Sequence, residues 1–301
     1  MKIVIAGGSG FIGEPLVSRL VAAHHDVAVL TRNPAKVRSG QGIHWDGRTQ
    51  GPWSQEAAKA DVVINLAGEN IGEGRWTDAR KEKLISSRLD ATNAIVQALG
   101  DASPGKRTLI NASAVGYYGL RGDEILDEGG SPGRGFLAEL VEKWEGAARQ
   151  SESLARLVIL RFGVALAADG GALKKMMLPF KLGVGGPVGS GQQWMSWIQR
   201  DDATRIVTWA IENENARGVY NATAPEPVRN GEFARALGRA LHRPAIMPTP
   251  AFALRLAFGE MAEEVLLGGQ RVVPKRAEAA GFAFESRTIG ECLRAVLAGS
   301  G

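Results

Sequence analysis

Several residue types that define whole classes of proteins are rare or missing in this chain. One cysteine, Cys292, stands among its 301 residues, so no disulfide can form within the chain, and a reducing, cytoplasmic location is expected. No apolar run approaches the roughly 20 residues of a membrane-spanning helix, so the sequence predicts no membrane partner. The net charge of +4 is small, and Lys and Arg are interspersed with acids, which predicts no nucleic-acid partner.

Histidine and tyrosine are also scarce, which limits the chemistry that the chain can perform. The four histidines are His24, His25, His44 and His242. None of them pairs with another at a metal-ligand spacing, so no metal site is predicted. The same scarcity argues against a serine hydrolase, because no histidine base accompanies a candidate nucleophile.

Glycine, by contrast, is plentiful, with 39 residues, and its first cluster follows a short β-branched run at residues 2–6. Gly7 allows a tight turn, Gly10 lets the backbone approach a diphosphate, and Gly13 lets the next helix pack on the strand. The N-terminus of that helix offers unpaired N–H groups to an anion. The sequence therefore predicts a dinucleotide site whose first contacts are Gly7, Gly10, Phe11, Ile12 and Gly13.

Apolar, β-branched runs alternate with helical periodicities through the first half of the chain. Further strands are predicted at 26–32, 43–46, 61–68, 108–113 and 157–162. Long helices are predicted at 77–99 and 136–149. The run at 61–68 is almost wholly apolar, as expected of a strand that is buried on both faces. This alternation predicts an α/β fold, namely a doubly wound parallel sheet of the Rossmann type with a smaller α+β substrate lobe.

The composition of the sequence changes after about residue 165, where glycine-rich and tryptophan-containing segments begin. Residues 1–165 are predicted to form the dinucleotide-binding domain, to which 199–222 return. Residues 166–198 and 223–301 are predicted to form the substrate lobe. The glycine-rich segment 183–191 is expected to be either a mobile lid or a simple connection. Helices are expected at 203–212, 230–241 and 249–267.

The end of the second predicted strand distinguishes NAD from NADP. An acidic residue there would bind the free ribose 2′-hydroxyl of NAD, but this chain has Thr31 and Arg32. An arginine can grip a 2′-phosphate and stack on adenine, so we predict NADP; the alternative is an exposed arginine in a turn. Glu69 is expected to hold a ribose hydroxyl. The remaining predicted cofactor contacts are Asp46, Leu66, Ala67, Gly68, Glu69 and Arg88.

Several motifs occur together along the chain. They are GGSGFIG (7–13), NLAGENI (65–71), RWT (75–77), SAVGYYG (113–119), FLAELVEKWE (136–145), GGPVGSGQQWMSWI (185–198), NATAPEPV (221–228) and RVVPKR (271–276). Nearly from end to end, the chain resembles the extended short-chain dehydrogenase/reductase superfamily, and more closely its atypical, epimerase-like branch. That branch carries a C-terminal domain of unknown function. The resemblance implies a Rossmann fold that binds NADP and a small substrate lobe.

The chain departs from this superfamily at the residues that carry its chemistry. Short-chain dehydrogenases use a Tyr-x-x-x-Lys pair, in which the tyrosine transfers a proton and the lysine lowers its pKa and holds the nicotinamide ribose. None of the three tyrosines here is followed by a lysine at that spacing, and Phe136 and Leu140 match the two positions. Arg88 replaces the usual asparagine on the long helix. Of the catalytic set, only Ser113 remains.

Ser113 and Tyr117 are the candidate catalytic residues. Ser113 ends a central strand, where its hydroxyl could bond a substrate carbonyl or satisfy local backbone groups. Tyr117 would act as a substitute acid, with Arg121 lowering its pKa if the loop bends back, or else would pack beneath the loop. Lys143 is a weaker substitute for the missing lysine, because its acidic neighbours are typical of a solvated helix face.

Other side chains have two interpretations from the sequence alone. Arg88 would contact the cofactor or an acidic substrate, or else pair with Asp90 or Glu82 on the helix surface. Three tryptophans near predicted loops would form an aromatic wall for a flat or sugar-like substrate, or would pack the two lobes together. These are Trp76, Trp194 and Trp197.

The sequence therefore predicts an NADP-binding, epimerase-like oxidoreductase that lacks the usual proton route. Its partner would be a small molecule of the sugar-like or carbonyl class, and the chain would be a monomer or a homodimer. The alternative is a non-catalytic NADP-binding protein that senses redox state or scaffolds a partner.

Overall fold

The computed structural model of the chain describes residues 1–101 and 106–298. Its strands, in chain order, are β1 (Lys2–Ala6), β2 (Asp26–Thr31), β3 (Gln41–His44), β4 (Val62–Asn65), β5 (Thr108–Ala114), β6 (Ile125–Leu126), β7 (Arg156–Phe162), β8 (Val164–Ala167), β9 (Trp194–Met195), β10 (Trp197–Gln199), β11 (Gly218–Ala222), β12 (Val228–Arg229) and β13 (Arg271–Val272). Its helices are α1 (Gly13–Ala22), α2 (Pro52–Ala58), α3 (Asp78–Gly100), α4 (Phe136–Arg149), α5 (Gly171–Lys181), α6 (Arg200–Glu212), α7 (Asn230–Leu241), α8 (Ala251–Phe258), α9 (Lys275–Ala279) and α10 (Ile289–Ala298).

Seven strands form one sheet in the order β11-β7-β5-β4-β1-β2-β3. Neighbouring strands in this sheet run parallel. The four residues of β1 from Ile3 to Ala6 are fully buried, since this strand is covered on both faces, and β-branched and small side chains suit that position. The topology confirms the predicted α/β fold with a doubly wound parallel sheet.

Helices cover both faces of the sheet, and alternate residues of β1 point to opposite faces. On one face, Ile3 and Ile5 pack with Leu16 and Leu20 of α1 and with Val207 of α6. The other face is covered by α2 and α3 through a separate cluster, which includes Val4, Val63, Trp53, Ile95 and Leu99. The carboxyl ends of the strands are left open between the helices, which is where such sheets bind ligands.

A second core lies between α5, α7 and α10. Its buried side chains include Leu173, Met177, Phe233 and Leu237. Cys292 of α10 is buried in this core, and burial raises the pKa of its thiol to about 12. None of the helices in residues 1–101 and 106–298 is long and apolar enough to cross a membrane.

The chain returns from this second core to the main sheet through α6 and β11. β11 pairs in parallel with β7, and Gly218 lies opposite Val158. Near the start of α6, the buried carboxylate of Asp202 accepts hydrogen bonds from the N–H groups of Glu285 and Ser286, at 3.0 Å each. These bonds hold the segment before α10 against α6.

The prediction of one helix over 249–267 is wrong. α8 ends at Phe258, Gly259 has a φ of +60°, and a π-helical turn follows at Ala262–Leu267. The apolar periodicity is continuous across Gly259, but its left-handed backbone turns the chain and ends α8 there.

Candidate functional site

Gly7 and Gly13 of the turn after β1 have no room for a side chain. Gly7 has a φ of +77°, and a Cβ there would lie 2.7 Å from the carbonyl carbon of Leu66. A Cβ at Gly13 would lie 2.2 Å from the carbonyl oxygen of Gly7, and the N–H of Gly10 donates to that same oxygen at 3.0 Å. The turn is therefore tightly packed at both ends and exposed at Ser9 and Gly10, a shape that fits a dinucleotide diphosphate.

The N-terminus of α1 continues this cradle. Ile12 occupies the N-cap position, and it caps the helix without a side-chain hydrogen bond. In the first turn of α1, Glu14 donates its N–H to the Gly10 carbonyl at 2.9 Å and Pro15 has no N–H, so the N–H of Gly13 is left for an anion, and the helix dipole favours negative charge there.

Phe11, at the tip of the turn, is covered by residues that lie far away in the sequence. Its ring would be 2.7 Å from a Cβ at Gly171, and the Cζ atom of Arg200 lies 5.0 Å from the ring centre. Arg200 in turn holds both carboxylate oxygens of Asp169, at 2.7 and 2.9 Å. Arg200 was missed in the sequence, since only the tertiary fold brings the start of α6 over the glycine turn.

Arg32 follows β2 directly and is exposed, and no described residue pairs with its guanidinium. Thr31 ends β2, and its hydroxyl accepts a hydrogen bond from the N–H of Asn33 at 3.2 Å. The neighbouring cation Arg38 differs, because it pairs with Glu14 at 2.9 Å. Arg32 is thus an unpaired cation at this strand end.

Asp46 lies in a tight turn after β3, which ends two residues earlier than the strand predicted at 43–46. Its carboxylate accepts hydrogen bonds from the N–H groups of Thr49 and Arg48, at 2.9 Å each, and from the Thr49 hydroxyl at 2.8 Å. These bonds lower the pKa of Asp46 to about 2. The side chain therefore stabilises its own turn, and its cofactor contact stays a prediction.

Leu66, Ala67 and Gly68 follow β4 and form the wall opposite the glycine turn. Arg88 of α3 supports this wall, because its guanidinium donates to the carbonyl oxygens of Leu84 and Glu69, at 3.0 Å each. The Arg88 Cζ atom also lies 5.2 Å from the ring of Trp144, and burial lowers the pKa of Arg88 to about 10. The alternative pairing with acids on its own helix is wrong.

The Glu69 carboxylate points toward α3. It pairs with Arg80 at 3.2 Å and with Lys83 at 3.5 Å. Burial alone would raise the pKa of Glu69, but the Arg80 hydrogen bond and the charge of Lys83 outweigh burial and lower the pKa. These two cations already bind the Glu69 carboxylate, which the sequence predicts to bind a ribose hydroxyl of the cofactor. That contact with the ribose stays a prediction.

Ser113 lies at the end of β5 and is buried in a polar network. Its hydroxyl donates to Oε1 of Glu145 at 2.6 Å, and Arg161 of β7 holds both oxygens of Glu145, at 2.7 and 2.8 Å. Burial would raise the pKa of Glu145, but the hydrogen bonds and charge of Arg161 lower it. The Ser113 proton is thus directed to Glu145 and not to the backbone, and the contact of Ser113 with a substrate stays a prediction.

The network extends through Tyr118, which the sequence argument did not single out. Arg161 donates to the Tyr118 hydroxyl at 2.9 Å, and that hydroxyl donates to Asn221 at 2.8 Å. Burial raises the pKa of Tyr118 to about 12. The phenol therefore serves as a neutral link between β7 and β11.

Tyr117 is half-buried and packs against the cluster of Val115, Tyr118, Leu126 and Val272. The Cζ atom of Arg161 lies 3.4 Å from the centre of its ring, and its ring meets Tyr118 edge-on at 5.4 Å. The expectation that Arg121 would act on Tyr117 is wrong, because Arg121 donates to the hydroxyl and carbonyl of Ser131 at 2.9 and 3.1 Å. Arg161, and not Arg121, is the arginine that lies against the Tyr117 ring.

Neither position that replaces the tyrosine–lysine pair carries a polar group. Phe136 packs against Trp76 with ring centres 5.0 Å apart, and Leu140 is buried beside them. Lys143 is exposed to solvent on α4, as the solvated-face interpretation expected. Trp197 is fully buried, so it and Trp76 serve in packing.

A cavity of about 480 Å³ opens at the N-terminus of α4. Its lining is Leu120, Arg121, Pro132, Gly133, Arg134, Gly135 and Glu264. Glu264, from the π-helical turn, accepts hydrogen bonds from the N–H groups of Phe136 (2.8 Å) and Leu137 (2.9 Å). The cavity is large enough for a small-molecule substrate and combines two arginines with one carboxylate.

The glycine-rich segment 183–191 is packed and is no free lid. A Cβ at Gly185 would lie 2.4 Å from the ring of Phe180, and one at Gly186 would lie 2.2 Å from the Met247 carbonyl oxygen. The third tryptophan, Trp194, lies between Arg229 and Arg271 instead of facing the cavity, with their Cζ atoms 4.6 and 4.5 Å from its ring.

Comparisons with known proteins agree with this architecture. Epimerase family protein Mb2239 of Mycobacterium bovis is 45% identical to this chain over 294 residues, which are 97% of this chain and 96% of that protein. The crystal structure of human epimerase family protein SDR39U1 with NADPH matches with a TM-score of 0.89 and 36% identity, covering 98% of this chain and 99% of that one. MoeE5 in complex with UDP-glucuronic acid and NAD matches with a TM-score of 0.79 at 17% identity, over 98% and 97% of the two chains, which is a likeness of fold alone.

The resemblance seen in the sequence is confirmed on both parts of the chain. Residues 249–296 match a domain of unknown function, DUF1731. Residues 3–223, which hold the glycine turn and the whole parallel sheet, match the NAD dependent epimerase/dehydratase family. By this match and by the identity to Mb2239 along nearly its whole length, the chain belongs to the NAD dependent epimerase/dehydratase family.

Proposed function

We propose that this chain is an NADP-binding, epimerase-like oxidoreductase that works without the tyrosine–lysine pair of its superfamily. The observation that carries the proposal is the tight turn from Gly7 to Gly13, where a Cβ at Gly7 or Gly13 would clash with backbone atoms and which leads directly into the N-terminus of α1. The human relative crystallised with NADPH supports NADP, which the sequence predicts from Arg32.

The cofactor contacts follow from these positions. The diphosphate lies on the turn from Gly7 to Gly13, and Arg32 takes the 2′-phosphate at the end of β2. Leu66, Ala67 and Gly68 form the opposite wall, which Arg88 stiffens through the Glu69 carbonyl. Bound NADP supplies the hydride carrier, so the chain needs to orient it and exclude water.

Tyr117 is the proposed proton-transfer group. It is half-buried, and the guanidinium of Arg161 lies against its ring at 3.4 Å, which fixes the ring's orientation. Ser113 acts as a positioning residue, because its hydroxyl orients Glu145 and thereby Arg161. The substrate is a small molecule of the sugar-like or carbonyl class in the cavity beside Arg121 and Arg134.

Cofactor choice is tested by titrating NADPH and NADH into the purified chain and the Arg32→Asp variant. We expect NADPH affinity to fall by about 10- to 100-fold, since a charge-assisted contact is lost, while NADH affinity changes little. Lys59→Asp, at an exposed lysine on a different edge, is the matched control and should leave both affinities unchanged. Comparable losses of both cofactors in Arg32→Asp would rule out the 2′-phosphate contact.

Proton transfer is tested by NADPH oxidation across a panel of carbonyl compounds. We expect Tyr117→Phe to lower kcat by about a hundredfold or more, as loss of a general acid does. Tyr220→Phe, whose ring packs on Trp209, removes a phenol from the core and should not change kcat.

A non-catalytic NADP-binding protein is the second candidate. It is favoured by one observation, namely that the Ser113 hydroxyl is already bonded to Glu145. Tight NADPH binding without oxidation across the panel would support this candidate, and turnover that survives Tyr117→Phe would reject the proposed proton donor.

A further inference from the structure

Large apolar side chains are exposed at one end of the second core. They lie on α5, on α8, on residues 182–184 after α5 and on residues 246–247 before α8. We call this region the basic apolar surface. Its exposed apolar members are Leu178, Leu182, Val184, Ile246, Met247, Phe252 and Leu256. Large apolar side chains exposed in one region of a monomer are typical of an interaction site.

Backbone pairing holds these residues together. Residues 185–189 run beside 247–249, with the N–H of Met247 donating to the Gly185 oxygen at 3.1 Å and the N–H of Gly189 donating to the Thr249 oxygen at 2.9 Å. α5 leads directly into the first segment, and α8 directly follows the second. The two helices therefore leave the same paired strip of backbone.

The two helices present matched apolar stripes. On α8, Phe252 and Leu256 are four residues apart and 71% and 77% exposed. On α5 and its C-cap, Leu178 and Leu182 are also four residues apart and 59% and 70% exposed. Residues at that spacing share one helix face, and no residue of α8 is buried. Exposure of this much apolar surface is unfavourable unless a partner covers it.

The surface is also strongly basic. Residues 171–191 and 242–258, which hold the two helices and the paired segments, contain no aspartate or glutamate and five of the 36 basic residues. The five are Lys174, Lys175, Lys181, Arg243 and Arg255, and all are exposed. Arg255 pairs with Glu263 beyond the end of α8.

We propose that the basic apolar surface docks on an anionic lipid bilayer. Lys174 and Lys181 share a face of α5 with Leu178, so their ammonium groups would meet lipid headgroups while the apolar side chains enter the interface. Anionic membranes attract basic residues within a Debye length of their surface. The expectation of no membrane partner rested on spanning helices, and a helix that lies in the interface is not excluded by it.

A second copy of the chain fits this surface less well. A two-fold interface places the same patch on both sides, so the basic residues would face one another without acidic partners. An anionic bilayer supplies the missing negative charge.

Docking would occur beside the crevice. Lys175 of α5 donates to the Gly72 carbonyl at 3.4 Å, and Arg75 donates to the Leu256 carbonyl of α8 at 3.0 Å. The surface therefore flanks the loop that carries Trp76, which packs on Phe136 at the start of α4.

The test is co-sedimentation of the full chain with vesicles of phosphatidylcholine alone and of phosphatidylcholine mixed with phosphatidylglycerol. We expect binding to the mixed vesicles only, weakening as salt is added. The double variant Lys174→Glu/Lys181→Glu should weaken binding by at least about tenfold, and Phe252→Ser/Leu256→Ser should abolish it.

Two matched controls change equally exposed residues elsewhere. Lys59→Glu/Lys106→Glu and Ile125→Ser should bind like the unchanged chain, and thermal melting checks that each variant is folded. No binding to mixed vesicles, or equal losses in the controls, would overturn the proposal. A dimer in sedimentation velocity that Phe252→Ser/Leu256→Ser dissociates would also overturn it, because a second copy would then cover the surface.

Discussion

At the scale of single residues, one buried ion pair holds the side chains of the crevice in place. Glu145 and Arg161 are 0% and 2% exposed, and they join Ser113 on β5 to Tyr118 beyond it. A buried charge without its partner is costly, although the pair itself contributes little over apolar residues of the same size. The pair therefore positions the crevice more than it stabilises the fold.

Removal of one partner of this ion pair is predicted to lower the free energy of unfolding more than removal of both partners. Arg161→Met leaves the buried Glu145 carboxylate with Ser113 and the partly exposed Arg149, at 3.1 Å, as partners and should lower the free energy of unfolding by about 3 kcal/mol. The double variant Arg161→Met/Glu145→Leu should recover much of this loss. Urea denaturation of the three proteins measures it, and a double variant as unstable as the single one would contradict this role.

Acid should lower the stability of the chain through protonation of Glu145. The pKa of Glu145 is lowered in the folded chain from 4.5, so its contribution to stability is complete above the unfolded pKa and is lost as the pH falls through the lower folded pKa. Glu145→Gln should flatten the fall in unfolding free energy below about pH 4.5. Denaturant titrations over that range provide the measurement, and identical pH profiles would refute this assignment.

At this scale, local chemistry was predictable and distant partners were not. Gly7, Gly10 and Gly13 are fixed by backbone geometry within seven residues, so their spacing was enough to place them. The hydrogen bond from Ser113 to Glu145 joins residues 32 positions apart, and the stacking of Arg161 on Tyr117 depends on how β7 lies beside the loop. No pattern in the sequence reports such contacts.

Among the helices and strands, the start of α4 depends on the C-terminal part of the chain. Gly135 precedes α4 with a φ of +105°, and the Glu264 carboxylate accepts the N–H groups of Phe136 and Leu137. A carboxylate at this end of a helix satisfies orphan donors and complements the helix dipole.

Loss of this cap should cost modest stability. Glu264→Ala is predicted to lower the free energy of unfolding by about 1 kcal/mol, as for other lost N-caps. Glu263→Ala, whose exposed side chain pairs with Arg255, is the control and should change it by less. Equal effects of the two substitutions in chemical denaturation would argue against the cap.

The Asp202 carboxylate likewise accepts backbone N–H groups, here from the segment before α10. Asp202→Ala removes the acceptor of the Glu285 and Ser286 amides and should lower stability by about 1–3 kcal/mol. Hydrogen exchange should speed up at these amides and along α10. Asp201→Ala, its exposed neighbour, should leave exchange unchanged; faster exchange in both would remove the special role of Asp202.

Element prediction succeeded where apolar runs are long and failed where packing decides. The strands and helices of the main sheet have strong periodicity. The two-residue strands, such as β6 and β13, pair only with each other, and nothing local favours them. The predicted helix over 249–267 failed because its periodicity continues through Gly259, whose backbone ends α8.

On the scale of the whole molecule, the C-terminal segment completes the sheet's open edge. The Glu128 carboxylate accepts hydrogen bonds from the N–H groups of Asn221, at the end of β11, and of Arg276 in α9, at 3.0 and 3.2 Å. Glu264 meets α4 from the same part of the chain. The crevice is thus built from both family regions, while the predicted domain boundaries stay predictions.

The central claim is that NADP lies on the turn from Gly7 to Gly13 with its 2′-phosphate at Arg32. A crystal structure of the full chain grown with NADPH tests this claim directly. We predict diphosphate oxygens within hydrogen-bond distance of the N–H groups of the turn, and the 2′-phosphate within ion-pair distance of the Arg32 guanidinium. A diphosphate away from the turn, or a 2′-phosphate that Arg32 does not contact, would contradict the claim.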